Sequence, residues 1–167
     1  MKEKRLYLVR HAKSSWSNAR QSDFQRPLSE RGLQAAPLMA RRLKEREEIP
    51  SLMVSSPAKR AITTALLFAE TFGHPEEAIE RKMEIYTGGA EALLEIVRSL
   101  PEDCRSAMLF GHNPSMTIFS NLLSGEQLAD MATCGVICID MGKPLWREIG
   151  ERSGRRLWYD YPAEKQR

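Results

Sequence analysis

Two runs of four apolar residues, Leu6–Val9 and Ala107–Phe110, are each followed two residues on by a histidine, His11 and His112. This pattern restricts the fold more than any other feature of the chain. Runs this short match strands buried on both faces, and strands of that kind belong to parallel sheets covered by helices. A third run, Ser51–Ser55, has the same character. Between the runs the spacing changes to that of helices. Ser29 is placed to cap a helix reaching about Glu47, with Leu33, Ala36, Ala40 and Leu43 on one face and a kink or a later helix start expected at Pro37. Ser56 followed by Pro57 reads as an N-cap and first helical residue, opening a helix to Phe72 that Gly73 stops. A less regular stretch from Pro75 to Tyr86 precedes a helix over Glu91–Leu100. Asn113 and Pro114 repeat the capping pattern for a helix to about Leu123. Gly135–Met141, Leu145–Ile149 and Arg156–Tyr161 read as late strands.

Alternating strands and helices followed by a strand meander predict an α/β fold, a three-layer α/β/α sandwich whose mainly parallel sheet has an antiparallel edge. The length of 167 residues suits one domain spanning 1–167. With 25 Lys and Arg against 22 Asp and Glu, the net charge of +3 is no basis for binding nucleic acid by bulk charge. No apolar run approaches the ~20 residues of a membrane span. The charged start, Met1–Arg5, is followed by too few apolar residues for a secretory signal. Three cysteines, Cys104, Cys134 and Cys138, do not make a disulfide framework, and the expected location is the cytoplasm. The Cys134/Cys138 pair has no nearby ligand partner and reads as buried thiols. Trp158, Tyr159 and Tyr161 are expected to cover the sheet, Arg152–Arg156 to form a solvated turn, and His74 to lie on the surface.

Ligands of open α/β sheets collect beyond the carboxyl ends of the strands. Arg10 and His11 stand at one such end and His112 at another, while Arg60 lies in the first turn of a helix, where it does nothing for the dipole. Two arginines and two histidines at one end of a sheet constitute a phosphate pocket, because guanidinium forks match phosphate oxygens. Lys13, Ser14 and Ser15, in the loop after His11, and Arg26 are further candidates for binding phosphate or substrate.

Four blocks in this order, Leu8–Ala12, Arg26–Gly32, Ser55–Thr64 and Gly111–Pro114, resemble the histidine phosphatase superfamily, related to phosphoglycerate mutases and acid phosphatases. The short chain and the pairing of Arg26-Pro27-Leu28 with Gly111–Pro114 are most similar to SixA-type phosphohistidine phosphatases. The resemblance implies a phosphoglycerate mutase-like fold. It also implies that His11 is a nucleophile transiently phosphorylated, that Arg10, Arg60 and His112 clamp the phosphoryl group, and that no metal or cofactor is needed. The chain has Ala12 where the commonest motif has glycine. The substrate implied is a phosphorylated protein carrying phosphohistidine. A small phosphorylated metabolite, handled by a phosphatase or mutase with Glu84 as general acid, is the alternative, and a non-catalytic phosphate-binding module is a third.

Overall fold

A computed structural model describes residues 3–142 and 144–162, so Met1 and Lys2 of the charged start lie outside the described residues. Its six-stranded sheet runs in the order β3-β2-β4-β1-β5-β6. The strands are β1 (Lys4–Arg10), β2 (Leu52–Ser55), β3 (Glu80–Arg81), β4 (Ser106–Gly111), β5 (Val136–Gly142) and β6 (Arg155–Asp160). The first four pair in parallel, whereas β5 is antiparallel to β1 and β6 to β5. The helices are α1 (Glu30–Glu45), α2 (Lys59–Phe72), α3 (Met83–Thr87), α4 (Ala90–Arg98) and α5 (Ser115–Ser124).

Side chains alternate across a strand, so each strand here supplies two cores. Leu6 and Leu8 of β1 join Ala107 and Leu109 of β4 in packing against Leu93 and Val97 of α4 and Met116, Phe119 and Leu123 of α5. Tyr7 and Val9 point the other way, with Met108 and Phe110, against Ala36, Met39 and Leu43 of α1 and Ile62, Ala65 and Phe68 of α2. This is the expected sandwich. Burial on both faces is what removed polar residues from Leu6–Val9 and Ala107–Phe110.

Several local expectations change. Helix α1 begins as read, with the Ser29 hydroxyl accepting from the Gly32 N–H at 3.2 Å, but it continues through Pro37. The N–H that Pro37 lacks would have paired with the carbonyl of Leu33, a residue on the exposed face of the helix. The buried stripe is Gly32, Ala36, Met39, Ala40 and Leu43, without Leu33. Helix α2 starts at Lys59, two residues after Pro57, and its N-cap position, Ala58, offers no side-chain cap. Residues 145–149 contain a short 3₁₀ turn, Trp146–Glu148, where a strand was expected. The Trp146 N–H donates to a Glu102 carboxylate oxygen at 3.0 Å and its indole N–H to the Cys104 carbonyl at 2.9 Å, partners that a strand pairing cannot supply. Asn113-Pro114 is a cis peptide, and α5 begins after it.

Cys134 precedes β5 in the left-handed region (φ 59°), while Cys138 lies within the strand. Both are buried free thiols whose pKa burial pushes up to about 12, which leaves them protonated and inert. Trp158 packs on the α1/α2 side of the sheet and Tyr159 on the α4/α5 side; Tyr161 is partly exposed, its ring 5.2 Å from that of Tyr159.

Candidate active site

The register between β1 and β4 assembles the site. Arg10 lies opposite Gly111, so the residues that follow, His11 and His112, leave adjacent parallel strands side by side. The His11 N–H extends the ladder to the Gly111 carbonyl at 3.0 Å, and the two imidazole centroids are 5.3 Å apart. Gly111 has no room for a side chain, since an added Cβ would lie 2.9 Å from Ile85 and 3.0 Å from Met116. Across from these, β2 delivers Ser56 and then α2, whose second residue is the buried Arg60.

A cavity of about 300 Å³ is lined by Arg10, His11, Lys13, Ser14, Trp16, Arg26, Arg60, His112, Asn113 and Thr133. Four of these are Lys or Arg, and none is Asp or Glu. Such a cavity selects an anion. Arg10, Arg26, Arg60 and His112, which line it, each also carry a buried side-chain nitrogen (Nε of the arginines, Nδ1 of the histidine) without a hydrogen-bond partner.

The His11 ring is tethered at one nitrogen. Its Nδ1 lies 2.7 Å from the Ala12 carbonyl, which accepts its proton and leaves Nε2 with the free lone pair. Ala12 is fixed in turn, because its N–H donates to the Thr64 hydroxyl at 3.0 Å and that hydroxyl donates to the Arg60 carbonyl at 2.8 Å. Thr64 of the third sequence block therefore pins the turn formed by the first. Burial brings the His11 pKa down to about 3; the Ala12 carbonyl opposes this, and His112, Arg60 and Arg10 add to it. His112 is brought down to about 4 by burial and Arg60, against a smaller opposing effect of Asp23. Both imidazoles are neutral at pH 7.

Ser56, expected as a helix cap, serves the site. Its hydroxyl lies 2.9 Å from His112 Nε2 and also accepts from the Ala58 N–H at 3.1 Å. Asn113, also expected as a cap, lines the cavity, with its amide donating to Asp130 and to the Met131 carbonyl and its oxygen accepting from Thr117. Arg10 donates to the same Met131 carbonyl at 2.6 Å.

The loop between His11 and α1 folds back over the site. Gly32 allows this, because a Cβ there would lie 2.2 Å from the Lys13 carbonyl, to which the Ser29 N–H donates at 2.9 Å. Asp23 of this loop is a hub that the sequence did not reveal. It accepts from Arg60 (2.7 Å to its carbonyl, 3.0 Å to its carboxylate), from Arg26 (3.1 Å) and from the Tyr86 hydroxyl (2.8 Å). Desolvation works against its charge, but donation from Tyr86, Arg26 and Arg60 prevails and holds the carboxyl well below its ordinary range. The Tyr86 ring stands edge-on to His112 at 5.5 Å.

Of the residues expected from sequence, Arg10, His11, Lys13, Ser14, Arg26, Arg60 and His112 meet at this cavity. Ser15 does not. Ser14 bridges to Leu28, and the alternation of an extended chain turns the next residue away, where its hydroxyl pairs with that of Ser17 at 2.9 Å. Glu84 does not reach it either. Within α3 the buried residue is Ile85, so Glu84 is exposed; it lines a different cavity of about 420 Å³ with Glu80, Lys82 and Glu95. Trp16, Asn113, Thr133, Asp23, Ser56 and Tyr86 were not legible as site residues. The available signals were the places of Ser56 and Asn113 inside the blocks Ser55–Thr64 and Gly111–Pro114, where both read as helix caps.

Residues 6–133 match the family model of the histidine phosphatase superfamily, branch 1. The chain belongs to that superfamily. It is therefore a histidine phosphatase by family, and the cavity beside His11 is its candidate active site. Over 164 residues, 93% of this chain and 74% of the other, it is 30% identical to an uncharacterized chloroplastic protein of Arabidopsis thaliana. The crystal structure of a candidate phosphohistidine phosphatase SixA from Agrobacterium tumefaciens superimposes with a TM-score of 0.82 at 28% identity, covering 97% of this chain and 100% of that one. The protein histidine phosphatase SixA complexed with tungstate superimposes with a TM-score of 0.81 at 21% identity, covering 94% and 96%. At that identity the second likeness speaks for the fold. Among the described residues no helix is long and apolar enough to cross a membrane.

Proposed function

We propose that the protein removes the phosphoryl group from phosphohistidine, carried on a protein, through a covalent intermediate on His11. The observation that carries this reading is the tethered His11 imidazole in a cationic cavity without a lining carboxylate. The lone pair of His11 Nε2 attacks phosphorus. The new Nε2–P bond forms as the P–N bond to the leaving imidazole breaks, and the pair from that bond stays on the departing nitrogen. When the other nitrogen of the leaving ring carries a proton, the ring departs as neutral imidazole and no acid is required. An alkoxide leaving group is far more basic and would need a proton from a placed acid. Water then attacks phosphorus, the electron pair of the Nε2–P bond returns to His11, and phosphate is released with the proton passing to solvent.

The surroundings do the remaining work by position and charge. Arg10, Arg60, Arg26 and Lys13 offset the phosphoryl oxygens, and low dielectric strengthens each interaction. Depressed basicity keeps His11 unprotonated, so its lone pair is available without a partner base. The likeness to the Agrobacterium tumefaciens SixA structure supports the same substrate class. A cytoplasmic setting belongs to the same proposal.

The test is single-turnover hydrolysis of a phosphohistidine peptide with trapping of phosphorylated enzyme. His11→Ala is expected to lose at least about 10³-fold in rate and all trapped label. Glu84→Gln is expected to match the parent on this substrate. Retention of activity in His11→Ala would refute the mechanism; faster turnover of p-nitrophenyl phosphate that depends on Glu84 would refute the substrate class.

A further inference from the structure

We propose that Trp16 is the specificity residue for the leaving group, an aromatic surface on which the imidazole ring of the substrate stacks. This rests on the phosphohistidine reading and names the part of the site that recognises the ring. Trp16 lines the same cavity as His11 and His112, yet 77% of its surface is exposed, the highest value among the large exposed hydrophobic side chains. A solvent-facing indole at the mouth of a polar cavity is expensive in hydration and contributes nothing to either core.

Its orientation is nevertheless controlled. The Arg26 guanidinium lies 3.7 Å from the indole centroid and covers one face. Arg26 is itself anchored, donating to the Ser14 hydroxyl and, at 3.1 Å, to the Asp23 carboxylate, which also holds Arg60. The indole plane is thus tied, through Arg26 and Asp23, to one of the arginines of the phosphate cavity. The other face has no aromatic or cationic partner among the described residues. A flat ring bonded to a phosphoryl group in the cavity extends toward the mouth, where this free face offers offset or edge-to-face stacking. The rest of the cavity lining is basic or small and polar apart from the two histidines, so Trp16 is the residue there suited to a planar, weakly polar group. A leaving group without a ring gains nothing from it.

The experiment compares two substrates with the same P–N bond, a phosphohistidine peptide and phosphoramidate, whose leaving group is ammonia. For Trp16→Ala, the ratio of kcat/KM for phosphohistidine to that for phosphoramidate is expected to fall by about 3- to 10-fold, the range for one aromatic pair. Trp16→Phe is expected to recover most of the ratio. The exposed side chain belongs to neither core, so its removal leaves the fold intact, and an effect relayed through Arg26 to the phosphoryl group would reduce both substrates alike. An unchanged ratio in Trp16→Ala, whether both rates fall together or neither does, overturns the proposal. Absence of His11-dependent cleavage of both substrates by the parent protein would instead overturn the phosphatase reading itself, and this proposal with it.

Discussion

Lowering the pH from 7 to 5 should remove about 4 kcal/mol of folding stability, and the two site histidines account for it. An unfolded histidine titrates near pH 6.5, whereas His11 and His112 are held neutral in the fold to about 3 and about 4. Above 6.5 neither state carries the proton and the linkage contributes nothing. Below 6.5 the unfolded chain takes up protons that the folded chain refuses, so stability falls with pH and continues to fall until the folded values are reached. Integrated from pH 7 to 5, the difference is about 2 kcal/mol for each imidazole. Both rings are buried enough for the effect to survive solvent screening, and the window lies above the range in which carboxylates such as Asp23 begin to take part. Urea unfolding followed by far-ultraviolet circular dichroism at pH 7, 6 and 5 measures it. His11→Asn should lose only about half as much stability over the same interval, because one of the two titrating groups is gone. A parent protein losing less than about 1 kcal/mol, or a His11→Asn variant with the same pH slope as the parent, would show that these imidazoles are not kept neutral by the fold.

Two other substitutions probe the supports of the site. Asp23→Asn removes the charge that Arg60 and Arg26 share; a charge-assisted hydrogen bond contributes about 1.5–3 kcal/mol, and with Asp23 half exposed the expected loss is nearer 1 kcal/mol, or about fivefold in kcat/KM on phosphohistidine. No change in kcat/KM would mean that the arginines hold their positions unaided. Thr64→Val leaves the buried Ala12 N–H without an acceptor, so urea unfolding should register about 1–3 kcal/mol of destabilisation and kcat should fall as the turn holding His11 loosens. Unaltered stability would show that Ala12 finds another partner.

The fold was readable because its signals are local and repeated. Leu6–Val9 and Ala107–Phe110 had to be apolar on both faces once helices covered both faces, and that requirement is written in consecutive residues. Capping was less secure. Ser29 caps α1 as its position suggests, but Ser56 and Asn113 occupy equally good capping positions and are used by His112 and the cavity instead. A hydroxyl or amide beside a helix start has the same local appearance whichever partner it takes, and the choice is made by a strand more than fifty residues away in the case of Ser56 and His112. Glu84 illustrates the reverse error. It is an acidic residue in the expected region, but the buried Ile85 sets the rotation of α3 and leaves Glu84 facing solvent.

From the sequence alone came the chemical types, arginine and histidine after short buried strands, and with them an anion site. Tertiary structure decided which of those groups meet, because the in-register pairing of β1 with β4 sets His11 beside His112. It also decided what supports them: a loop whose return over the site brings Asp23 to Arg60 and Trp16 to the cavity mouth. Those contacts join residues distant along the chain, and no periodicity or spacing encodes a hydrogen bond whose two partners are brought together only by packing of the whole domain.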